Sequence, residues 1–240
     1  MSRSLAVIIP AYNEQPRLQK TLDRVREYFS STDYDWSVCV VSDGSTDDTA
    51  AIVKAMHESD ARFKLIEYRP NRGKGYAVRT GMLEADADWL LLCDADLATP
   101  IEEIELLAAA NADVAIGSRA LDRSKLEVHQ PFLREFGGRV LNKIIQLLAV
   151  RGLRDTQCGF KLFSRKAAKD AFSRCRLDGF SYDVEALMFA NALGYKIKEV
   201  SVRWAHQEGS KVKVSRDAPR MLWDLIKLRF SFKKRMAERA

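Results

Sequence analysis

The sequence predicts an α/β protein built on a doubly wound, mostly parallel sheet flanked by helices. Three observations carry this. Short β-branched runs alternate with helix-period segments over the first 117 residues. The runs end in polar clusters, where such sheets bind ligands beyond the carboxyl ends of their strands. The chain has 240 residues and is 47% hydrophobic, enough to bury one substantial core.

The elements follow in order. Residues 5–9 (LAVII) read as a buried strand ending at Pro10. Leu18, Leu22, Val25 and Phe29 recur at helical spacing over residues 15–29. Residues 37–41 form a second strand. A polar loop over residues 42–49 leads into a helix through Met56, with Thr46 or Asp47 as its cap. Further strands are expected at 63–67, 89–93 and 114–117. One helix opens at the glycine-containing loop 71–75, and another covers 100–110. Beyond residue 120 the alternation weakens. Residues 131–150 read as a helix with a broad apolar face, and 152–163 as a loop with a strand-like turn. Residues 182–193 read as a helix, 196–204 as a strand, and Ala218 onward as a final helix. The expected organisation is a main domain at 1–215 and a basic amphipathic C-terminal helix at 216–240.

Charge is unevenly placed. Residues 216–240 hold eight Lys/Arg against three Asp/Glu, so they carry most of the net charge of +6. The remainder is close to neutral and holds no recognition motif, which argues against a nucleic-acid binder. Cys39, Cys93, Cys158 and Cys175 form no C-x-x-C pair, and with the three histidines they complete no zinc pattern. Buried free thiols in a reducing, cytoplasmic compartment are expected. The first residues show no signal pattern, and no run of about 18 apolar residues appears, so no membrane-spanning helix is expected.

The sharpest chemical signal is Asp94-Ala95-Asp96, directly after the most apolar strand, WLLLC. In an extended segment residues i and i+2 point the same way. Two carboxylates that close repel, and a hard divalent cation relieves the repulsion while leaving sites for phosphate oxygens. A solvated turn is the alternative. Asp43, also past a strand end, can accept from a base or ribose; an Asx-turn capping the next helix is its other reading. Tyr12 can stack on a base or simply pack. Lys74, in Asn71-Arg72-Gly73-Lys74-Gly75, puts a cation and backbone N–H groups at a helix start, without the spacing of a P-loop. Arg119 lies at the same ligand edge, after the fifth strand. No G-x-G-x-x-G follows the first strand, which argues against a dinucleotide-dependent oxidoreductase.

Together IPAYNE (9–14), SDGSTDDT (42–49), NRGKGYAVRTGM (71–82) and DADLATP (94–100) resemble the family 2 glycosyltransferases of GT-A fold. GSR (117–119), DTQCGFKLF (155–163), GFSYDVEAL (179–187) and HQEGSK (206–211) are similar to the polyprenyl-phosphate subgroup, above all the dolichyl-phosphate β-glucosyltransferases. The resemblance implies inverting transfer of glucose from UDP-glucose to a polyprenyl or dolichyl phosphate. GDP-mannose or another nucleotide-sugar as donor, or a saccharide acceptor, is the alternative. It implies that Pro10, Ala11, Tyr12, Glu14, Asp43, Lys74, Asp94 and Ala95 hold the donor. It implies Mg2+ or Mn2+ on Asp94 and Asp96. Arg119, Arg134 and Lys211 would meet phosphate groups. Ala98 stands where mannosyl relatives often carry Gln, which weakens the mannose reading and makes His206 a candidate third metal ligand. Asp96 and Asp155 are the candidate catalytic residues, Asp155 as acid-base or positioning group. Asp183 and Glu185 stand behind Asp155 for that role, with helix-start acids that complement the dipole as their other reading.

A phosphate acceptor is already ionised at neutral pH and needs no strong base. It also lies at a bilayer surface. The C-terminal segment, with Met221, Leu222, Trp223, Leu225, Ile226, Leu228, Phe230 and Phe232 followed by Lys233-Lys234-Arg235, suits a helix lying in the headgroup layer; a helix packed on the domain with a solvated basic end is the alternative. Residues 131–150, with Arg134, Arg139 and Lys143, offer a second such face. The expected location is therefore peripheral, on the cytoplasmic face of a membrane.

Overall fold

The structure, a computed structural model, describes residues 4–128, 150, 152–207 and 214–237. The first half runs β1 (Ser4–Ala11), α1 (Gln15–Ser30), β2 (Asp35–Asp43), α2 (Thr49–Ser59), β3 (Phe63–Tyr68), α3 (Lys74–Glu84) and β4 (Trp89–Cys93). A 3-10 turn at Ile101–Glu103 precedes α4 (Ile104–Ala108) and β5 (Val114–Ser118). Then come β6 (Leu126–Val128), β7 (Phe160–Ser164), α5 (Arg165–Phe172), α6 (Tyr182–Ala192), β8 (Ile197–Ser201), β9 (Trp204–Ala205) and α7 (Val214–Ala237).

The main sheet has the order β3-β2-β1-β4-β7-β5-β8 among the described residues. Every pair is parallel except those of β7, which runs antiparallel to β4 and β5. β6 and β9 form a small parallel ribbon. Helices cover both faces, so the strands read as continuous apolar runs rather than alternating ones. β1 shows why. Leu5, Val7 and Ile9 face Leu18, Leu22, Val25 and Phe29 of α1, while Ala6 and Ile8 face Ala77, Val78 and Met82 of α3.

β7 and α5 differ from the sequence reading, which saw only a strand-like turn and no helix there. Lys161 sits fully buried as the second residue of β7, where it pairs with buried Asp183, and so breaks the apolar pattern. Ala167, Ala168 and Ala171 supply the inner face of α5, a weak hydrophobic signal. Ser164 caps that helix by accepting from the Ala167 N–H at 3.3 Å. The expected 100–110 helix is the 3-10 turn plus α4, and the 196–204 strand stops at Ser201. The helix expected at 131–150 lies outside the described residues, Val150 excepted.

The final helix starts at Val214, before Ala218, and Pro219 lies inside its N-terminal turns. It is amphipathic and packs on the domain. Leu225 and Leu228 enter the same core as Phe163 and Phe189, and Phe232 stacks on Phe189 with centroids 5.0 Å apart. Buried Arg235 pairs with fully buried Glu185 and donates to the Arg174 carbonyl at 2.6 Å. The other Glu185 oxygen accepts from the Arg176 and Leu177 N–H groups at 2.9 and 2.8 Å. Removing one partner of such a pair strands the other charge, at a cost of about 3–5 kcal/mol. Arg235→Ala is therefore expected to lower the urea midpoint sharply. Arg229→Ala, on the exposed side, is expected to shift stability by less than about 0.5 kcal/mol.

Candidate active site

The site is assembled at the carboxyl ends of β1, β2, β4 and β5. After β4, Ala95 turns into the core and its carbonyl accepts from Thr21 Oγ at 2.7 Å. Asp94 and Asp96 flank it. Asp94 Oδ1 takes a 2.6 Å bond from Lys74 Nζ, at the first turn of α3. Burial would lower the Lys74 pKa, but the charge of Asp94 and its hydrogen bond raise it. Burial and then the Asp94 charge push the Asp96 carboxyl up. Asp96 accepts from the Ala98 N–H at 3.0 Å and lies 4.0 Å from Arg17, which itself pairs with Glu14 at 3.0 Å.

The turn around Lys74 is built from two directions. Asp43, buried at the end of β2, accepts from Asn71 Nδ2 at 2.8 Å and from the Arg72 and Gly73 N–H groups at 2.7 and 2.9 Å. On the other side Gly75 N–H donates to the Asp178 carbonyl at 2.8 Å. Gly73 adopts φ +108°, and a Cβ there would sit 2.4 Å from the Asp178 oxygen. Only glycine meets both demands. The β1 and β2 loops are laced together as well. Asn13 N–H donates to Ser45 Oγ at 3.1 Å, Thr46 N–H to Asn13 Oδ1 at 2.8 Å, and Glu14 N–H to Thr49 Oγ at 2.8 Å. Pro10 and Ala11 are buried, and Tyr12 is exposed.

Arg119, after β5, forms a fork with buried Asp155: Nε donates to Oδ2 at 2.6 Å and an Nη to Oδ1 at 2.8 Å. The Arg119 backbone N–H adds a third bond at 3.0 Å. Burial pushes the Asp155 carboxyl up, but the charge and hydrogen bonds of Arg119 win and hold it below the usual carboxylate range. Both Asp155 oxygens are thus engaged by Arg119, an arrangement that orients the guanidinium. Glu199 of β8 orders this turn, accepting from Ser118 Oγ at 2.6 Å and from the Arg154 and Asp155 N–H groups at 2.8 and 2.7 Å. Asp183 and Glu185 are not dipole acids facing solvent. They are buried partners of Lys161 and Arg235.

The structure thus brings Lys74, Asp94 and Asp96 together, and makes Arg119 and Asp155 one unit. His206 lines a cleft of about 920 Å³ together with Asp96, Arg17, Lys20 and Leu97. Arg134 and Lys211 lie outside the described residues. Sequence reasoning missed Arg17, Glu199 and Gly159. Arg17 follows Glu14 by three residues, a helical neighbour that spacing could have flagged. A Cβ on Gly159 would lie 1.9 Å from Asp94 Oδ2. Gly159→Ala is expected to push the Asp94 carboxylate off Lys74 and cut nucleotide affinity at least about tenfold, on the scale of about 1–3 kcal/mol for overpacking. Gly179→Ala is the control, because a Cβ there meets nothing nearer than 3.9 Å. Calorimetric nucleotide titration of both variants checks this.

Comparison with known proteins agrees with this geometry. The family model described as Glycosyl transferase family 2 matches residues 6–172. A dolichyl-phosphate beta-glucosyltransferase of Trichomonas vaginalis is 37% identical over 237 residues, covering 93% of this chain and 72% of that protein. The Drosophila melanogaster protein of that name is 37% identical over 227 residues (88% and 70%). The Saccharomyces cerevisiae one is 31% identical over 252 residues (95% and 75%). Among solved structures, glucosyl-3-phosphoglycerate synthase of Mycobacterium tuberculosis, crystallised with Mn2+, UDP-glucose and phosphoglyceric acid, superposes with a TM-score of 0.64 at 16% identity. It covers 95% of this chain and 80% of that one, a likeness of fold. The sheet order, the carboxylate pair after β4 and these matches lead to one conclusion: this chain is a glycosyltransferase of GT-A fold and belongs to glycosyl transferase family 2, together with the dolichyl-phosphate beta-glucosyltransferases.

Proposed function

We propose that this chain transfers glucose, with inversion, from UDP-glucose to the phosphate of a dolichyl or related polyprenyl phosphate. The observation that carries the reading is the pairing of two anion-handling units at one sheet edge. One is Lys74 with Asp94 and Asp96; the other is Arg119 held by Asp155. The relatives named above, alike over most of the chain, support the choice of donor and acceptor.

In this reading the β1–β2 loops and the turn pinned by Asp43 bracket the nucleoside. Lys74 meets the donor diphosphate. Arg119, oriented by Asp155, meets the acceptor phosphate. An oxygen of that phosphate bonds to the sugar C1 as the bond from C1 to the diphosphate oxygen breaks, and UDP leaves with the electron pair. The acceptor is already an anion, so no side chain has to remove a proton. This agrees with Asp155 being ionised and engaged.

A divalent ion fits the residues present. Burial and the neighbouring Asp94 charge both disfavour an ionised Asp96, and Lys74 offsets only part of the like charge. Asp94 and Asp96 would hold Mg2+ or Mn2+; His206 lines the cleft beside Asp96 but does not complete a three-ligand set, since among the described residues no group of three His, Cys, Asp or Glu stands close enough to hold one ion. The ion would supply counter-charge for the departing diphosphate.

The acceptor phosphate lies in the headgroup layer, so the enzyme works at a membrane surface. Among the described residues no helix is long and apolar enough to cross a membrane. The four buried free cysteines suit a reducing compartment and hence the cytoplasmic face.

The test is a donor panel with dolichyl phosphate in detergent. UDP-glucose is expected to give a glucosylated lipid phosphate, with little product from GDP-mannose. Product from GDP-mannose alone, or only with a free saccharide acceptor, would overturn the reading. Arg119→Lys keeps the charge but not the fork, and is expected to raise KM for lipid phosphate at least about tenfold while donor KM stays within about twofold.

A further inference from the structure

Among the described residues, the outward face of α7 takes no part in the fold or the site. Trp223, Ile226 and Phe230 are 56%, 37% and 85% exposed. Their spacing of three and four residues puts them in one stripe along the helix. With about 100° per residue, Arg220, Lys227 and Lys234 fall on one flank of that stripe, and Arg229 and Lys233 on the other. All five cations are exposed. Lys227 Nζ lies 5.2 Å from the centre of the Trp223 ring, leaning along the ridge. No carboxylate is exposed among the described residues of this helix: Asp217 is buried and Asp224 half-buried against Ser181. The inward face is fully committed, through Met221, Leu225, Leu228 and Phe232, so the helix cannot roll to hide the ridge.

We infer that this ridge is the surface on which the protein seats itself on an anionic lipid bilayer, with α7 lying in the headgroup plane. An aromatic and aliphatic keel bordered by cations on both sides matches the interfacial layer, where rings enter the acyl boundary and Lys or Arg meet lipid phosphates. Each well-placed cation adds about fivefold to partitioning. A second copy of the chain is the competing occupant. Twofold pairing would set five cations against five, and three side chains fall well short of the roughly 800 Å² per partner of a stable interface.

The inference deepens the proposed lipid acceptor but is tested without it. The purified chain is mixed with phosphatidylcholine vesicles, with and without phosphatidylserine, and bound protein is measured by flotation. The native chain is expected to bind the anionic vesicles and to leave them at high salt. The Trp223→Ser, Phe230→Ser double variant should lose at least tenfold in binding. Lys233→Glu with Lys234→Glu should bind both vesicle types equally weakly. Nucleotide titration should be unchanged in both, since neither touches the site. Native-like vesicle binding by both variants overturns the inference. So does sedimentation showing a native dimer that the Phe230 change dissociates. If the ridge binds lipid as expected but no glucosylated lipid forms, the seat stands and the proposed reaction fails.

Discussion

Two carboxylates one residue apart at the end of a buried strand are an unstable arrangement on their own, and much of the site exists to make them tolerable. Asp94 and Asp96 repel, burial adds to the penalty, and Lys74 supplies the nearest positive charge. Lys74 reaches Asp94 only because the turn before α3 is held in place. Asp43 draws in three hydrogen-bond donors from one side, and the 177–179 loop closes from the other. Gly73 and Gly159 leave the space that this packing needs. The carboxylate pair is therefore tied through Lys74 to the end of β2 and to two loops distant in sequence.

A second layer of buried charge ties down the latter half of the chain. Lys161 with Asp183, Arg119 with Asp155, and Arg235 with Glu185 each join segments far apart in sequence. Such pairs add little net stability over apolar packing, but each is costly to break singly. Their effect is specificity of placement. Through Glu185 the C-terminal helix holds the 176–177 backbone, next to the loop that seats the Lys74 turn. The tail is thus continuous with the site's architecture on its inner face, while its outer face carries exposed Trp223, Ile226 and Phe230.

The strands of the first half were legible because both faces of a parallel sheet are covered, leaving unbroken runs such as LAVII and WLLLC. The ligand edge followed from the same logic, and with it Asp43, Lys74, Asp94, Asp96 and Arg119. The antiparallel β7 was not legible, because its second residue is a buried lysine whose partner lies 22 residues on. Nor was α5, whose inner face is mostly alanine. The buried cation partners of Asp183 and Glu185 escaped for one reason. An acid in a sequence reads as a solvent-facing or catalytic group until a tertiary contact supplies its cation. Gly159 was invisible for a related reason, since the space it leaves is filled by a side chain from another strand.

If Asp94 and Asp96 seat a divalent ion and the donor diphosphate, as proposed above, nucleotide and ion must bind cooperatively. Calorimetric titration of UDP into the native chain and into Asp96→Ala, each with and without Mn2+, tests it most directly. Mn2+ is expected to tighten UDP binding to the native chain by at least about tenfold, roughly 1.4 kcal/mol. The variant is expected to stay folded and to gain nothing from the ion. UDP affinity that is the same in both proteins and indifferent to Mn2+ would contradict it.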